Sequence, residues 1–535
     1  MVSGIRKKIS FEMNWLRVWY MVCFFALGII DQRRGSALGQ VQMAAANLTG
    51  VVIVGMLIPS LDRRRFKNRI YWYWSVFSVL GGIIAGIWGW QSWNYKEQWF
   101  TGLLNVILWG YLVIYMIRER KDLHVWEKIK NPLFMIAAGM LLIMFFSVHE
   151  GIAPLWLLLL FGGFYLIGVH GKDREDFFQG MLNGMILWFF IQQIVAFGFR
   201  PYDFFRYRGL YSGETQNGLF YMIAYCAFML KWIWLKENRK SKVLTWLCFL
   251  LSAGCVSFIF YTGGRAPLLG AGIASIVIYI WYDIVYQKTF YRLVGHCFLF
   301  MLCVMLTFPA VYGCIRYLPV ILHHPIWFEG EYIEDRSVRS FDPWNSERYI
   351  TFEQAVEESL GRILYVIGID INKGKEDDIS GIWGIRVYAR DMEEPGATPE
   401  NPFALPGVDI GTDMGPRSII YAYYWSHLNW IGHSNAESGF YMPGKFYMSH
   451  AHNLFLQIAY DYGILAGLLF VVLYFAKLFQ AFRLRKNNRM EAMISITFLL
   501  AILGFGLFEM VVVPGQITLV LMGILFCMTE NTRYN

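Results

Sequence analysis

Arginines suited to phosphate binding occur in one connector between two apolar runs, at Arg206 and Arg208. Gly209 follows them directly, and Glu214 and Asn217 stand at the start of the next run. A guanidinium stays charged at any physiological pH and presents a planar fork of donors that matches phosphate oxygens. The pattern predicts an anion-binding loop. The alternative is that these arginines pair with lipid headgroups or with carboxylates of the same loop.

A second arginine lies in a very short turn between two apolar runs, the Gly-Gly-Arg-Ala-Pro segment 263–267. A lone charge such as Arg265 is costly at a membrane boundary unless it has a role. The glycines allow a ligand to approach the backbone closely, and Pro267 suits the first turn of a helix. Arg265 is therefore a candidate ligand-binding residue, with snorkelling to lipid headgroups as the alternative.

Histidines precede a further apolar run, at His450 and His452, and Asn453 follows them. Imidazole is the side chain best suited to accept a proton near neutral pH, so His452 is a candidate general base at the start of a helix. The alternative is an interfacial histidine with ordinary hydrogen-bond partners. Gly463 and Gly467 have the small-xxx-small spacing that predicts close packing between membrane helices.

A metal site is not expected at these histidines. His450 and His452 are two residues apart and would point to different faces of a helix, and neither they nor His323 and His324 have a nearby set of Cys or Glu ligands at suitable spacing. Glu509, near the end of a later apolar run, is expected to be a structural hydrogen-bond partner, with orientation of a cation as the alternative. We expect no cofactor.

Helices that cross a membrane must position these residues. The chain of 535 residues is 56% hydrophobic, 18% aromatic and 16% charged, and its mean hydropathy is +0.41. Apolar runs long enough for a hydrocarbon core of about 30 Å recur about fourteen times, or twelve without the two weakest at the N-terminus. The predicted spans are near residues 14–30, 37–60, 70–90, 99–117, 132–147, 152–169, 177–199, 215–235, 243–261, 266–286, 293–315, 453–476, 491–511 and 515–528. The composition predicts an all-α polytopic membrane protein.

One connector is far larger than the others and divides the chain into three regions. These are a helix bundle over 1–315, a loop over 316–449, and C-terminal membrane helices over 450–535. Within the loop, 346–367 has apolar residues at helical spacing, at Phe352, Val356, Leu360 and Ile363, which predicts a short amphipathic helix. The region 372–412 is rich in Gly, Pro, Asp and Glu and is expected to be irregular.

The distribution of basic residues predicts the orientation. Lys/Arg clusters recur in alternate connectors, which the positive-inside rule assigns to the cytoplasm together with both termini. The loop 316–449 has 20 Asp/Glu against 11 Lys/Arg and is assigned to the outer side. The net charge of +8 therefore reflects membrane topology, and no nucleic-acid partner is expected.

In their order along residues 200–470, the motifs resemble the O-antigen ligase and O-antigen polymerase superfamily, bacterial membrane glycosyltransferases with a GT-C-like fold. The matching features are an arginine before Gly209 with Asn217 after it, the Gly-Gly-Arg turn, and a long loop ending in His452 and Asn453. The family's first arginine is Arg206 or Arg208, and the spacing to Gly209 favours Arg206. Arg348, ahead of Gly368, resembles the family's arginine in the loop.

The resemblance implies transfer of a glycan from an undecaprenyl-pyrophosphate carrier to an acceptor hydroxyl, without a metal ion or nucleotide sugar. Arg265 with Arg206 or Arg208 would neutralise the pyrophosphate, and His452 would activate or position the acceptor. The other residues expected to contact substrate are Arg208, Asn217, Arg348, His450 and Asn453. The enzyme would lie in the bacterial cytoplasmic membrane, with its site facing outward and with membrane lipids and other polysaccharide-assembly proteins as neighbours.

Two acceptor classes remain open within the family. A polymerase, which we favour, extends another lipid-linked repeat, and a ligase transfers the glycan to a lipid, a protein or a wall polymer. Outside the family, a flippase for the lipid-linked glycan would need charges lining a central cavity at mid-membrane depth. A structural scaffold would tolerate substitution of the arginines and of His452.

Overall fold

The computed structural model describes residues 14–34, 42–60, 109–110, 113, 117, 124–149, 153–169, 173–200, 202, 206–211, 213–287, 289–322, 351–366, 416–437, 439–442, 446–448, 450–511, 513 and 515–528. The predicted span 70–90, most of 99–117, the irregular region 372–412, His323, His324 and Arg348 lie outside these residues. The helices, strands and contacts are those of the described residues.

The fold is all-α apart from one short hairpin. Its helices are α1 (Trp15–Arg34), α2 (Gln42–Leu57), α3 (Val125–Ile129), α4 (Pro132–Phe146), α5 (Ala153–Leu166), α6 (Asp173–Phe199), α7 (Glu214–Glu237), α8 (Lys242–Thr262), α9 (Arg265–Tyr279), α10 (Phe290–Ile321), α11 (Phe352–Val366), α12 (Pro416–Ser426), α13 (Leu454–Tyr462), α14 (Ile464–Leu484), α15 (Arg489–Gly506) and α16 (Ile517–Met528). Short 3-10 turns cover Ile58–Ser60 and Asn435–Glu437, and Ile280–Tyr286 continues α9 as a π-helix. Strands β1 (Phe440–Met442) and β2 (Phe446–Met448) pair antiparallel, with Tyr441 opposite Tyr447.

The prediction of a polytopic all-α membrane protein is confirmed. Within the described part of the chain, eight helices are long and apolar enough to cross a membrane: α1, α6, α7, α8, α9 with its π turn, α10, α14 and α15. Shorter apolar helices cover Ala45–Ser60, Pro132–Phe146, Trp156–Leu166 and Ile517–Met528. The chain is therefore a multi-pass membrane protein.

Helix α7 forms the centre of the bundle and is buried almost along its whole length. It contacts α6, α8, α9 and α15, which is the packing expected of a helix that is apolar on all sides. Helix α10 is peripheral. Its large apolar side chains are exposed, for example Phe298 at 72% and Met305 at 70%. In a membrane such a surface faces lipid.

Helices α9 and α15 approach closely because glycines face each other across their contact. A Cβ atom added at Gly504 would lie 3.2 Å from the Cα of Gly270. The pair therefore packs backbone to backbone, as small residues permit in membrane helices. The contact fixes the N-terminal end of α9 relative to the C-terminal end of α15. Because Arg265 is the first residue of α9, we call this end of the bundle the arginine end.

The single span predicted at 453–476 is wrong, because Gly463 divides it into α13 and α14. Gly463 has φ +96, a left-handed conformation, and a Cβ there would collide with the carbonyl group of Trp430. Ile464 N donates to Asn429 O at 2.9 Å, so the 428–434 segment is held against the break. Gly467 packs against Ala459 of α13. The break at Gly463 and the close contact at Gly467 thus allow α13 to pack against α14, and the helix long enough to cross a membrane begins at Ile464.

Two other boundaries differ from the sequence prediction. Helix α10 continues to Ile321, so the first residues of the predicted loop 316–449 are helical. The amphipathic helix is confirmed over Phe352–Val366, but its buried residues include Ala355 and Ser359, while Leu360 is 51% exposed. The small residues Ala355 and Ser359 therefore face inward. On the same helix the Phe352 ring packs against α10, 5.3 Å from the ring of Tyr312.

Candidate functional site

The Arg206 segment and the Gly-Gly-Arg turn are in direct contact at the arginine end. Arg206 Nε donates to Thr262 O at 2.9 Å, and its Nη2 donates to Gly263 O at 3.3 Å. The backbone N–H of Tyr207 donates to Tyr261 O at 2.8 Å. The two motifs, 56 residues apart at Arg206 and Thr262, therefore form one unit.

Glu214 holds the two arginines of the first motif side by side. Arg208 Nε donates to Glu214 Oε1 at 3.0 Å, and Arg206 Nη1 lies 3.7 Å from Glu214 Oε2. Both arginine side chains are 34% exposed, whereas the glutamate is 19% exposed. The Glu214 carboxylate thus bridges the two guanidinium groups.

Asn217 stabilises the loop that carries Arg206 and Arg208. Its side chain is completely buried, and Nδ2 donates to Tyr207 O at 3.2 Å. Gly209 adopts φ +55, and a Cβ there would lie 2.8 Å from Asn217 Oδ1. The sequence suggested a substrate contact for Asn217, but its position indicates that it shapes the loop that carries Arg206 and Arg208.

The turn before α9 presents Arg265 at a helix N-terminus. Gly263 ends α8 with φ +60, and the N–H of Gly264 donates to the hydroxyl of Thr262 at 3.3 Å. Arg265 is the first residue of α9 and is partly exposed, with Pro267 in the first helical turn. The free N–H groups of a helix N-terminus and a guanidinium both favour an anion such as a phosphate group.

His452 pairs with a carboxylate that the sequence placed in a membrane helix. Glu509 follows the end of α15, and its Oε2 lies 3.1 Å from His452 Nδ1 and 4.0 Å from His450 Nε2. Because a carboxylate only accepts, the hydrogen bond requires a proton on Nδ1 of His452, and in the neutral imidazole this tautomer has its lone pair on Nε2. This orientation is what a general base needs.

The backbone around His452 is fixed by several groups. His452 has φ +48, a conformation that L-residues with side chains rarely adopt. Its carbonyl accepts from Tyr421 Oη at 3.2 Å. Asn453 caps α13 by accepting from Phe455 N and Leu456 N, both at 3.0 Å, and its Nδ2 donates to Leu507 O at 3.1 Å. Asn453, expected to contact substrate, thus ties α13 to the end of α15.

His450 lies next to His452, with ring centroids 4.1 Å apart. The pKa of His450 is lowered to about 4, chiefly because burial disfavours the charged imidazole; the neighbouring His452 acts in the same direction and Glu509 opposes the shift. The His450 imidazole is therefore neutral at physiological pH. It is suited to hydrogen bonding or metal coordination more than to carrying a charge.

The described arginine and histidine motifs lie at the same end of the bundle. A Cβ on Gly506 would lie 3.1 Å from Leu454, so the C-terminal end of α15 packs on the first residue of α13. Arg265 lies five residues before Gly270, about 7.5 Å along the axis of α9 from the contact with α15. The arginine motifs and the histidines therefore share one end of the α9–α15 pair.

Two further arginines at this end, Arg200 and Arg316, are buried and were not predicted from the sequence. Arg200 is 1% exposed and Arg316 is 4% exposed. Tyr202 N donates to Ile315 O at 2.9 Å, which joins the segments that carry them. The signal was present, because a charge next to an apolar span is costly and rarely without a role.

The expectation against a metal site rested on helical geometry that the structure does not have. His450 and His452 precede α13, so the separation of i and i+2 on a helix does not apply. With Glu509 they offer three ligand atoms that all lie within 4.8 Å of one another. The donor set of two imidazoles and one carboxylate fits a divalent transition metal.

Comparisons of the chain with models of protein families, with curated proteins and with solved structures find no match. The resemblance to the O-antigen ligase and polymerase superfamily stays a prediction from the motifs. The membrane fold and the geometry of the arginine end stand on the structure alone.

Proposed function

We propose that this protein is a membrane glycosyltransferase that transfers or polymerises a glycan carried on undecaprenyl pyrophosphate. The observation that carries the proposal is the hydrogen bond from His452 Nδ1 to Glu509, 3.1 Å long, at the end of the bundle where the arginine motifs lie. An oriented imidazole and a group of cations are the two elements that such a transfer requires.

The reaction breaks the bond between the anomeric carbon of the donor sugar and a pyrophosphate oxygen. The acceptor hydroxyl attacks this carbon from the opposite face and inverts its configuration. His452 Nε2 takes the proton of the hydroxyl, and Glu509 stabilises the imidazolium that forms. The electron pair of the broken bond stays on the pyrophosphate, which leaves with its carrier lipid.

The leaving pyrophosphate gains negative charge, which we assign to the arginines to neutralise. We assign contact with it to Arg265 and Arg208, and a positioning role to Arg206, which donates to Thr262 O and Gly263 O. Preorganised cations can supply the stabilisation that a metal ion gives in other transferases. We therefore propose that the transfer itself needs no metal ion.

Among acceptors, we propose another lipid-linked repeat, which makes the protein a polysaccharide polymerase. The acidic composition of the loop 316–449, with its 20 Asp/Glu, suits a segment outside the membrane next to a growing glycan. The arginine end would face outward from the bacterial cytoplasmic membrane, as the Lys/Arg distribution predicts. A product ladder of many repeats supports a polymerase, whereas a single transfer to another acceptor supports a ligase.

The test uses purified protein and lipid-linked repeat in the presence of a chelator. Replacing His452 by alanine should lower the turnover number by about 10²–10⁴-fold, the usual contribution of a positioned base. Glu509→Gln should also lower it, with little change in the donor KM. His427→Ala is the matched control, because His427 is exposed and lies on another segment. Undiminished activity in the His452 variant would refute the assignment of the base.

A further inference from the structure

Two histidines and one glutamate converge at the arginine end in an arrangement that a hydrogen bond alone does not need. Glu509 Oε2 is 3.1 Å from His452 Nδ1 and 4.0 Å from His450 Nε2, and ligand atoms of all three lie within 4.8 Å of one another. The side chains of His450, His452 and Glu509 are 33%, 21% and 13% exposed. The three side chains are therefore partly buried.

The distances are close to those that one metal ion imposes. Bonds of about 2.0–2.1 Å at tetrahedral angles hold ligand atoms about 3.3 Å apart. The widest separation within the cluster must shrink by about 1.5 Å, which side-chain rotation can supply. The unusual φ of His452, +48, brings the two imidazoles to the same side of the chain, with ring centroids 4.1 Å apart.

The backbone that carries the three residues is already fixed without a ligand. Asn453 Nδ2 donates to Leu507 O at 3.1 Å, and the single hydroxyl hydrogen of Tyr421 lies between two carbonyl acceptors, His452 O at 3.2 Å and Leu507 O at 3.4 Å. These bonds hold the His450–Asn453 segment against the end of α15, two residues before Glu509. Such preorganisation is the support that ligands of a metal site require.

We propose that His450, His452 and Glu509 bind one divalent transition-metal ion of the zinc class. Two imidazole nitrogens favour such an ion over Mg²⁺ or Ca²⁺, which prefer sites built from oxygen ligands. Three protein ligands leave a fourth position for water. The binding site is independent of the proposed function. Its consequence rests on that function: a bound ion occupies the His452–Glu509 pair and inhibits transfer.

The binding test uses the full chain, purified with an affinity tag that contains no histidine and stripped with a chelator. After addition of a small excess of Zn²⁺ and dialysis to remove unbound metal, elemental analysis should find one equivalent in the wild type. The variants His450→Gln and Glu509→Gln should lose stoichiometric zinc, whereas His427→Gln should retain it. Excess Mg²⁺ should not displace the ion. Size-exclusion profiles identify any variant that does not fold.

Co²⁺ gives a second measurement that does not depend on the variants. The stripped wild type should develop the visible absorption of a tetrahedral Co²⁺ site, and Zn²⁺ should abolish it. A zinc content of the wild type no higher than that of His450→Gln and Glu509→Gln would overturn the site.

The inhibitory consequence has its own readout, which separates its failure from that of the proposed function. Equimolar Zn²⁺ should lower glycan transfer by the wild type, and the chelator should restore it. Bound zinc without inhibition overturns the consequence and leaves the site. A protein that binds zinc but shows no transfer under either condition overturns the proposed function and leaves the metal site standing.

Discussion

Replacing Arg206 by lysine separates a positioning role from direct contact with substrate. Arg206 donates to two carbonyls of the turn before α9, those of Thr262 and Gly263, at 2.9 Å and 3.3 Å. Hydrogen bonds from a charged donor contribute about 1.5–3 kcal/mol each, and partial exposure of the side chain, 34%, places them at the low end. A lysine ammonium cannot reproduce the planar fork, so one of the two bonds is lost.

The expected result is a loss of about 1–2 kcal/mol in the local opening free energy of this loop, or about 5–30-fold less protection from hydrogen exchange. The probe is the amide of Tyr207, which donates to Tyr261 O across the same contact. Hydrogen exchange with mass spectrometry on a peptide covering 206–211 measures it. Arg483→Lys, an exposed substitution in α14, is the matched control and should leave this protection unchanged.

Glycan transfer by the same variant completes the test. If Arg206 positions the turn, activity and protection should fall together in Arg206→Lys. Loss of activity with unchanged protection would refute the positioning role and assign Arg206 to the pyrophosphate itself.

The remaining predictions concern packing and backbone geometry, each read out by thermal unfolding in detergent. Glu491→Ala leaves Arg174 buried without its carboxylate and should cost about 3–5 kcal/mol; stability within about 1 kcal/mol of the wild type would contradict this. Gly504→Leu forces α15 away from α9 and should lower the free energy of unfolding by about 1–3 kcal/mol or more. Gly272→Leu should leave it unchanged, because nothing lies within 4 Å of an added Cβ. Gly209→Ala places a side chain at φ +55 and should cost about 1–2 kcal/mol; an unchanged melting temperature would count against the loop geometry.

Membrane helices were predictable from the sequence because burial in lipid demands long apolar runs. The break at Gly463 was not, because hydropathy does not register one left-handed residue within an apolar run. At Gly463 the backbone turns to fit the carbonyl of Trp430, which belongs to a segment more than thirty residues away. The continuous helix expected there failed because tertiary contact decided the conformation.

The residue types of the candidate site were predictable, but their roles were less so. Asn217 and Asn453 are amides that suit a substrate equally well, yet Asn217 donates to the loop backbone and Asn453 caps a helix. Sequence spacing cannot show which partner an amide finds. The grouping of His450, His452 and Glu509 was not predictable for a related reason, because both histidines precede α13 and do not have the helical spacing assumed for them.

The contact of Glu509 with His452 was also not predictable from the sequence. Its place near the end of an apolar run suggested a structural partner within a helix. The helix ends at Gly506, and the turn that follows brings Glu509 to His452. The position of a helix end within two or three residues decided the role of this carboxylate, and apolar periodicity does not locate helix ends that finely.

Glycan transfer by the purified chain in liposomes, with undecaprenyl-pyrophosphate-linked repeat as donor and a chelator present, is the most direct test of the proposed enzyme. We predict a ladder of longer lipid-linked glycans together with release of undecaprenyl pyrophosphate, both abolished in His452→Ala. Movement of labelled donor across the bilayer with no change in glycan length, equal in the wild type and in the variant, would contradict it and identify a transporter.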